Sequence, residues 1–297
     1  MTELATVKER RFQLRGPFHD IFTTDDTETL LAGPAGTGKT TAVLIYVHMM
    51  ALTHPNLRAI ILRKTMEALT KSTLVTFQEH VANDTITTGD VAFFGGNLKE
   101  PPGFRYSNGS RITLGGLDNP DRVKSAEYDI IIVDEATELT LKDWQTLTTR
   151  LRGHVLKKPR IIGACNPDGP EHWLKKRCNA GNTRLLETRH EHNPAYYDDD
   201  GQMTPAGAQY IATLDNLTGL EFRRLRQGLW VAADGIIYDT FDPAVHIIPH
   251  REIPDDWPRY WAVDFGYDHP FVWQSWAEDP DGALYLYREW YLSHMIV

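Results

Sequence analysis

The sequence predicts an α/β fold: a mostly parallel sheet flanked by helices, followed by a small helical segment and a final run of strands. Three observations carry this expectation. Short apolar runs (Leu30-Leu31-Ala32, Ala59-Ile-Ile-Leu62, Ile130-Ile-Ile-Val133, Ile161-Ile-Gly-Ala164) alternate with longer helical patterns, as strands joined by crossover helices do. The run at 130–133 has no polar alternation, which marks a strand buried on both faces. Beyond Gly235 the prolines at 243, 249, 254 and 258 break the pattern, and the remaining residues read as strands joined by turns.

Taken in order, the residues up to about Asp26 suggest a small N-terminal helix beside an adenine-side pocket, and Leu30-Leu31 a first strand. Residues 41–52 form a mostly apolar helix, 58–62 a second buried strand, and 66–81 one amphipathic helix. Phe104-Arg-Tyr and Arg111-Ile-Thr-Leu predict a hairpin, and Tyr128–Val133 a central strand. A helix over 141–151, a core strand over 160–164 and another strand over 183–188 follow. Residues 204–230 turn helical, with Pro205 near a helix start and a second, charged helix at 217–229. Tyr260–Phe265, Phe271–Ala277 and Leu284–Trp290 read as three consecutive strands. The expected domains are therefore a core at 1–200, a helical lid and linker at 201–255, and the start of a further domain at 256–297.

Composition narrows the function. With 297 residues the chain has ample length for a proper core. No apolar stretch reaches membrane-spanning length, and the charged first fifteen residues lack a signal core, so a protein that is neither membrane-bound nor secreted is expected. Cys165 and Cys178 have neither zinc nor redox spacing and read as reduced thiols. His190 and His192 flank Glu191 in what reads as a surface loop rather than a metal site. A net charge of −9 argues against a general nucleic-acid coat. Three basic clusters (157–160, 175–177, 223–226) become phosphate contacts only if folding gathers them on one side.

The chemistry centres on Gly33-Pro34-Ala35-Gly36-Thr37-Gly38-Lys39-Thr40, followed by Thr41. Two glycines flanking four residues before Lys-Thr make a P-loop, and the strand before it and helix behind it are the required context. Its glycines let successive N–H groups converge on phosphate oxygens at a helix N-terminus. Lys39 is then the ligand of the β- and γ-phosphates of ATP, and the Thr40 hydroxyl a ligand of Mg²⁺. Asp134, ending the apolar strand at 130–133, is placed to support that metal, and Glu135 to orient and deprotonate the attacking water. Arg63 and Arg122 are candidates for the cation that stabilises the transferring phosphoryl group, with Lys124 a weaker one. Asn166 has the position of a polar sensor of the γ-phosphate, or is a turn-forming Asn before Pro167. The fold class is that of a P-loop NTPase of the RecA-like kind.

The succession GPAGTGKT, ILRKT, IIIVDEATEL, ACNP, RRLRQGLW and WAVDFG, from about Leu14 onward, resembles the large terminase subunit of tailed bacteriophages. The resemblance implies an N-terminal ATPase that pumps double-stranded DNA into a procapsid and a C-terminal nuclease of ribonuclease-H-like fold. It implies phosphate and Mg²⁺ binding by Lys39 and Thr40, metal support by Asp134, and Glu135 as catalytic base. Asn166 falls on the family's coupling motif, and Arg63 and Arg122 fall in regions that hold sensing or finger arginines. As partners it implies the portal protein, the small terminase subunit and further copies of the chain in a ring, all in the cytoplasm of an infected bacterium. Asp264 matches the first metal-binding nuclease aspartate. That chemistry needs several carboxylates around two metal ions, Mg²⁺ or Mn²⁺, and Asp268 in a turn is a poor substitute. The chain stops at Val297 before others appear, so no DNA cleavage is expected of it. Two other readings stay open: a helicase-type ATPase, for which no second RecA-like domain follows Gly235, and a slow nucleotide switch, against which Glu135 argues.

Overall fold

The computed structural model describes residues 14–118, 126–232, 243–265 and 270–292. They belong to two compact units that divide after residue 239. In the first unit a short helix α1 (Pro17–Thr23) precedes strand β1 (Glu28–Ala32), the phosphate loop and the long helix α2 (Lys39–Thr53). Strand β2 (Arg58–Arg63) leads to α3 (Met66–Lys71), and strands β3 (Val91–Phe94), β4 (Gly103–Tyr106) and β5 (Arg111–Gly116) follow. Next come β6 (Ile130–Asp134), α4 (Leu141–Thr148), β7 (Arg160–Cys165), α5 (Trp173–Asn179), β8 (Arg184–Glu187) and α6 (Pro205–Asp215).

These strands make one sheet in the order β3-β4-β5-β2-β6-β7-β1-β8. From β5 to β8 every pairing is parallel, and β3 and β4 add an antiparallel margin. Successive strand residues point to opposite faces. Leu31, Ile61, Ile132 and Ile162 enter the core shared with α2, while Leu30, Ile60, Ile131 and Ile161 pack with Trp144 and Leu174 on the other side. Because both faces are covered, the central strands contain no polar alternation. Helix α2 lies over β6 and β7, and its residues 42 to 48 are all buried, which explains its apolar composition.

Registers fix which strand ends meet. Ala32 pairs with Cys165 and Ala164 with Asp134, so Gly33, Asn166 and Glu135 emerge at one edge of the sheet. This is the carboxyl edge of parallel strands, where α/β sheets bind ligands.

Several elements differ from expectation. The single helix expected over 66–81 is three pieces, α3, a turn at Thr73–Thr76 and a π-type turn at Phe77–Val81. The break comes where Ser72 leaves helical geometry, at φ −128°. The helix expected at 217–229 covers only Gly219–Arg226, π-type from Phe222 onward, and the chain then runs without helix past Trp230. Strand β3 has no counterpart in the expected elements; its inward Val91 is buried, but Ala92 and Phe93 are exposed, so no clear apolar run marks it.

In the second unit β9 (Arg259–Asp264), β10 (Phe271–Glu278) and β11 (Leu284–Leu292) form an antiparallel meander with β10 in the middle. Asp264 ends β9 opposite Val272, and Asp268 lies outside the described residues. No helix among the described residues is long and apolar enough to cross a membrane.

Candidate active site

Between β1 and α2 the chain turns through Gly36 and Gly38, at φ +74° and +91°, values that only glycine adopts without strain. Gly36 also has no room for a side chain, because a Cβ there would come within 2.3 Å of the Tyr210 ring. Gly38 caps α2 with no side-chain partner, which leaves the helix's first N–H groups turned toward the loop. Ala35, Gly36, Thr37, Gly38, Lys39, Thr40 and Thr41 line a cavity of about 320 Å³ together with Glu135, Asn166 and Asn193. Gly33 and Pro34 contribute their carbonyls.

The Lys39 ammonium donates to the carbonyls of Gly33 (3.0 Å) and Pro34 (2.6 Å), to Thr37 Oγ1 (3.3 Å) and to Asn166 Oδ1 (3.0 Å). Burial lowers its pKa to about 8, against the pull of Cys165, Glu135 and Asp134. On the neighbouring strand end, Asp134 Oδ1 accepts from the Thr40 hydroxyl at 2.7 Å. Its other oxygen, Oδ2, accepts from Thr73 Oγ1 at 2.6 Å. Glu135 holds a left-handed backbone at φ 51°, ψ 53°. Its carboxyl is pushed up by burial first and by Asp134 next, while Arg63 and Lys39 pull it back. Cys165, fully enclosed beside Lys39, is raised by burial and is no thiolate.

Among the expected residues, Lys39, Thr40, Thr41, Glu135 and Asn166 share the cavity, and Asp134 meets it through Thr40. Arg63 does not line it. Its guanidinium donates to Ser72 Oγ at 2.9 Å and Glu138 Oε1 at 3.3 Å, and its buried Nε has no partner among the described residues. Arg122 and Lys124 lie outside the described residues. Asp264 belongs to the other unit, and no group of three or more His, Cys, Asp or Glu residues suited to a metal occurs among the described residues.

Sequence reasoning missed the loop after β8. His190 is no surface residue; it is buried, and its Nε2–H donates to the Ala35 carbonyl at 3.0 Å. Burial lowers its pKa, with that hydrogen bond opposing. Asn193 Nδ2 donates to the Gly36 carbonyl at 2.7 Å. Both act on backbone atoms, which leave no motif in the sequence. The helical segment after residue 204 also reaches the loop: Ala35 N donates to the Leu225 carbonyl at 2.8 Å, and the Tyr210 ring covers Gly36.

The basic clusters are largely committed elsewhere. Arg160 is buried and donates to the carbonyls of Ile21 and Asp26, and Arg177 pairs with Glu28 at 2.7 Å. Lys158 pairs with Asp25, Lys176 with Glu171, Arg224 with Asp168 and Arg226 with Asp215. Each of these ion pairs reduces the charge left for a phosphate backbone.

The comparisons with known proteins agree with this geometry. The family model described as phage terminase large subunit matches residues 26–203, more than half of the chain. The PBSX phage terminase large subunit of Bacillus subtilis (strain 168) is 27% identical over 304 residues, covering 93% of this chain; the chain spans 66% of that relative's length. The large terminase of a thermophilic bacteriophage superposes with a TM-score of 0.60 at 19% identity, over 94% of this chain and 68% of that one. The complex of that same large terminase with ATP-γ-S gives 0.58 at 18% identity, over the same shares of both chains. The large terminase ATPase domain of Thermus phage P74-26 gives 0.51 at 15% identity, over 73% of this chain and 95% of that one. The chain belongs to the phage terminase large subunit family.

Proposed function

We propose that this chain is the ATP-hydrolysing part of a motor that drives double-stranded viral DNA into a procapsid. One observation carries the reading: the phosphate loop, Asn166 and Glu135 emerge from three adjacent parallel strands into one cavity of about 320 Å³, with Asp134 bonded to its Thr40. That convergence is what phosphoryl transfer needs, since its catalysis is positioning plus electrostatics. The nucleotide complex of the thermophilic-phage relative supports the choice of ATP.

In this proposal the loop amides and the α2 N-terminus hold the phosphates, and Lys39 exchanges its carbonyl partners for β- and γ-phosphate oxygens. Thr40 and Asp134 offer the hard oxygen ligands that Mg²⁺ takes. When bound, that ion neutralises charge on the β- and γ-oxygens. Glu135 accepts a proton from the attacking water, a role favoured by its raised proton affinity. Asn166, already bonded to Lys39, senses the γ-phosphate. The charge of Arg63 acts on Glu135 from outside the cavity, and Arg63 and Arg122 both stay candidates for a finger that stabilises the transferring phosphoryl group.

The contacts of Leu225 and Tyr210 with the loop support a lid role for the helical residues 205–226, whereas the lid and linker expected at 201–255 straddles the division between the two units after residue 239. We assign 256–297 to the first strands of a ribonuclease-H-like domain, with Asp264 as one carboxylate of a nuclease site. Portal protein and small terminase subunit are the proposed partners, and the host cytoplasm the place of action.

The test is ATP turnover by the purified chain with Mg²⁺, alone and with double-stranded DNA. Turnover that DNA stimulates and Glu135→Gln abolishes supports the motor. Strand separation would move the assignment to a helicase. Nucleotide binding with no turnover under any condition would move it to a switch.

A further inference from the structure

Thr73 carries no motif, yet it is 1% exposed and its hydroxyl donates to Asp134 Oδ2 at 2.6 Å. The other carboxylate oxygen takes the Thr40 hydroxyl at 2.7 Å. Asp134 is therefore held from both sides, by the first turn of α2 and by the residue that follows the break after α3. The preceding residue, Ser72, accepts from Arg63 Nη1 at 2.9 Å and donates to the Ala68 carbonyl at 3.0 Å. Two adjacent hydroxyls, 3.5 Å apart, thus tie the guanidinium of Arg63 and the carboxylate of Asp134 to the same short segment.

We infer that Thr73 is a positioning residue for the divalent cation: it sets the rotation of the Asp134 carboxylate and so the direction in which Asp134, with Thr40, would offer oxygen to that ion. This rests on the nucleotide reading above. A carboxylate with both oxygens anchored presents fixed lone pairs, whereas one anchored by Thr40 alone turns about its last torsion. Partners of this outer kind, when removed, typically cost about 10–100-fold in metal affinity. The break in the helix expected over 66–81 serves the same end. In an uninterrupted helix Ser72 and Thr73 would point about 100° apart around one axis, and the departure at Ser72 changes that spacing.

The experiment compares wild type, Thr73→Val and Thr73→Ser. Binding of a fluorescent ADP analogue is titrated in EDTA and at increasing Mg²⁺, and Mn²⁺ binding to the ADP complex is read by electron paramagnetic resonance. Val replaces the hydroxyl with a methyl at nearly constant volume, and Ser keeps it. The expected result is a roughly 10–100-fold rise in the cation concentration needed by Thr73→Val, with binding in EDTA unchanged and Thr73→Ser near wild type. An unshifted cation titration for Thr73→Val overturns the inference, as does a Ser variant as defective as Val. Failure of the wild type to bind the nucleotide at all overturns the proposed function itself, an outcome separable from either.

Discussion

Glu135 combines two costs in one residue. Its backbone sits at φ 51° and ψ 53°, a left-handed conformation that costs a residue with a Cβ about 1–2 kcal/mol. Replacement by glycine removes that strain and costs about 0.5–1 kcal/mol of added unfolded-chain entropy, leaving a net gain of about 0–1.5 kcal/mol. In a unit of this size each kcal/mol shifts Tm by about 2–4 °C, so Glu135→Gly should melt about 0–6 °C above Glu135→Gln, which keeps the strain. The charge adds a pH signature. Burial and Asp134 raise the folded pKa above the ordinary value of 4.5. Between the two values the folded chain holds more protons than the unfolded one, so stability falls as pH rises through that window. Both variants should lose this fall. Both should also lose roughly 10²–10⁴ in single-turnover hydrolysis, as expected on removing a general base. Calorimetry across pH, paired with phosphate release, reads all of these effects. A glycine variant that melts several degrees below the glutamine variant would refute the strain argument, and one that still turns over would refute the assignment of the base.

Further outcomes are expected. Lys39→Ala removes a charged donor with four oxygen partners and should weaken nucleotide binding by roughly ten- to a hundredfold, measured by isothermal titration. The pH profile of kcat/KM should be bell-shaped. Its acid limb should lie above the ordinary carboxylate range because Glu135 must be ionised, and its basic limb near pH 8 because Lys39 must be charged. The acid limb should vanish from residual Glu135→Gln activity. Arg224→Ala removes two hydrogen bonds to the Val231 carbonyl and a 2.7 Å pair with the largely solvated Asp168. The pair adds little at that exposure, so about 1–2 kcal/mol of local stability should go, seen as faster hydrogen exchange of amides 225–231 with little change in nucleotide affinity.

What the sequence revealed about this site follows from where each contact is encoded. Gly33–Thr40 and Asp134-Glu135 are contiguous, and their chemistry depends on local backbone and adjacent strands, so both were legible. Asn166 was legible only as an alternative to a turn, because its meaning comes from β7 lying next to β1. Thr73, His190 and Asn193 were not legible. The first depends on a broken helix, and the other two bind backbone carbonyls that any sequence supplies. The parallel strands announced themselves because burial on both faces forces continuous apolar runs. β3, exposed at the sheet margin, gave no such signal. The basic clusters stayed ambiguous in the sequence for a related reason. Charge can be counted along a chain, but the acids that neutralise it, such as Glu28 beside Arg177, come from distant positions.

The strand order has a metrical consequence. With β7 inserted between β1 and β6, the strand that launches the phosphate loop and the one that ends in Asp134 are separated by two strand spacings, about 9.6 Å. The inserted strand thus acts as a spacer between the two ends, and Asn166, which follows it, stands at the middle of the gap. Side-chain substitutions can retune the groups at either end, but the gap itself is written in main-chain hydrogen bonds and is insensitive to drift in sequence. Most side chains of these strands can therefore change while the spacing of the strand ends stays set by the sheet itself.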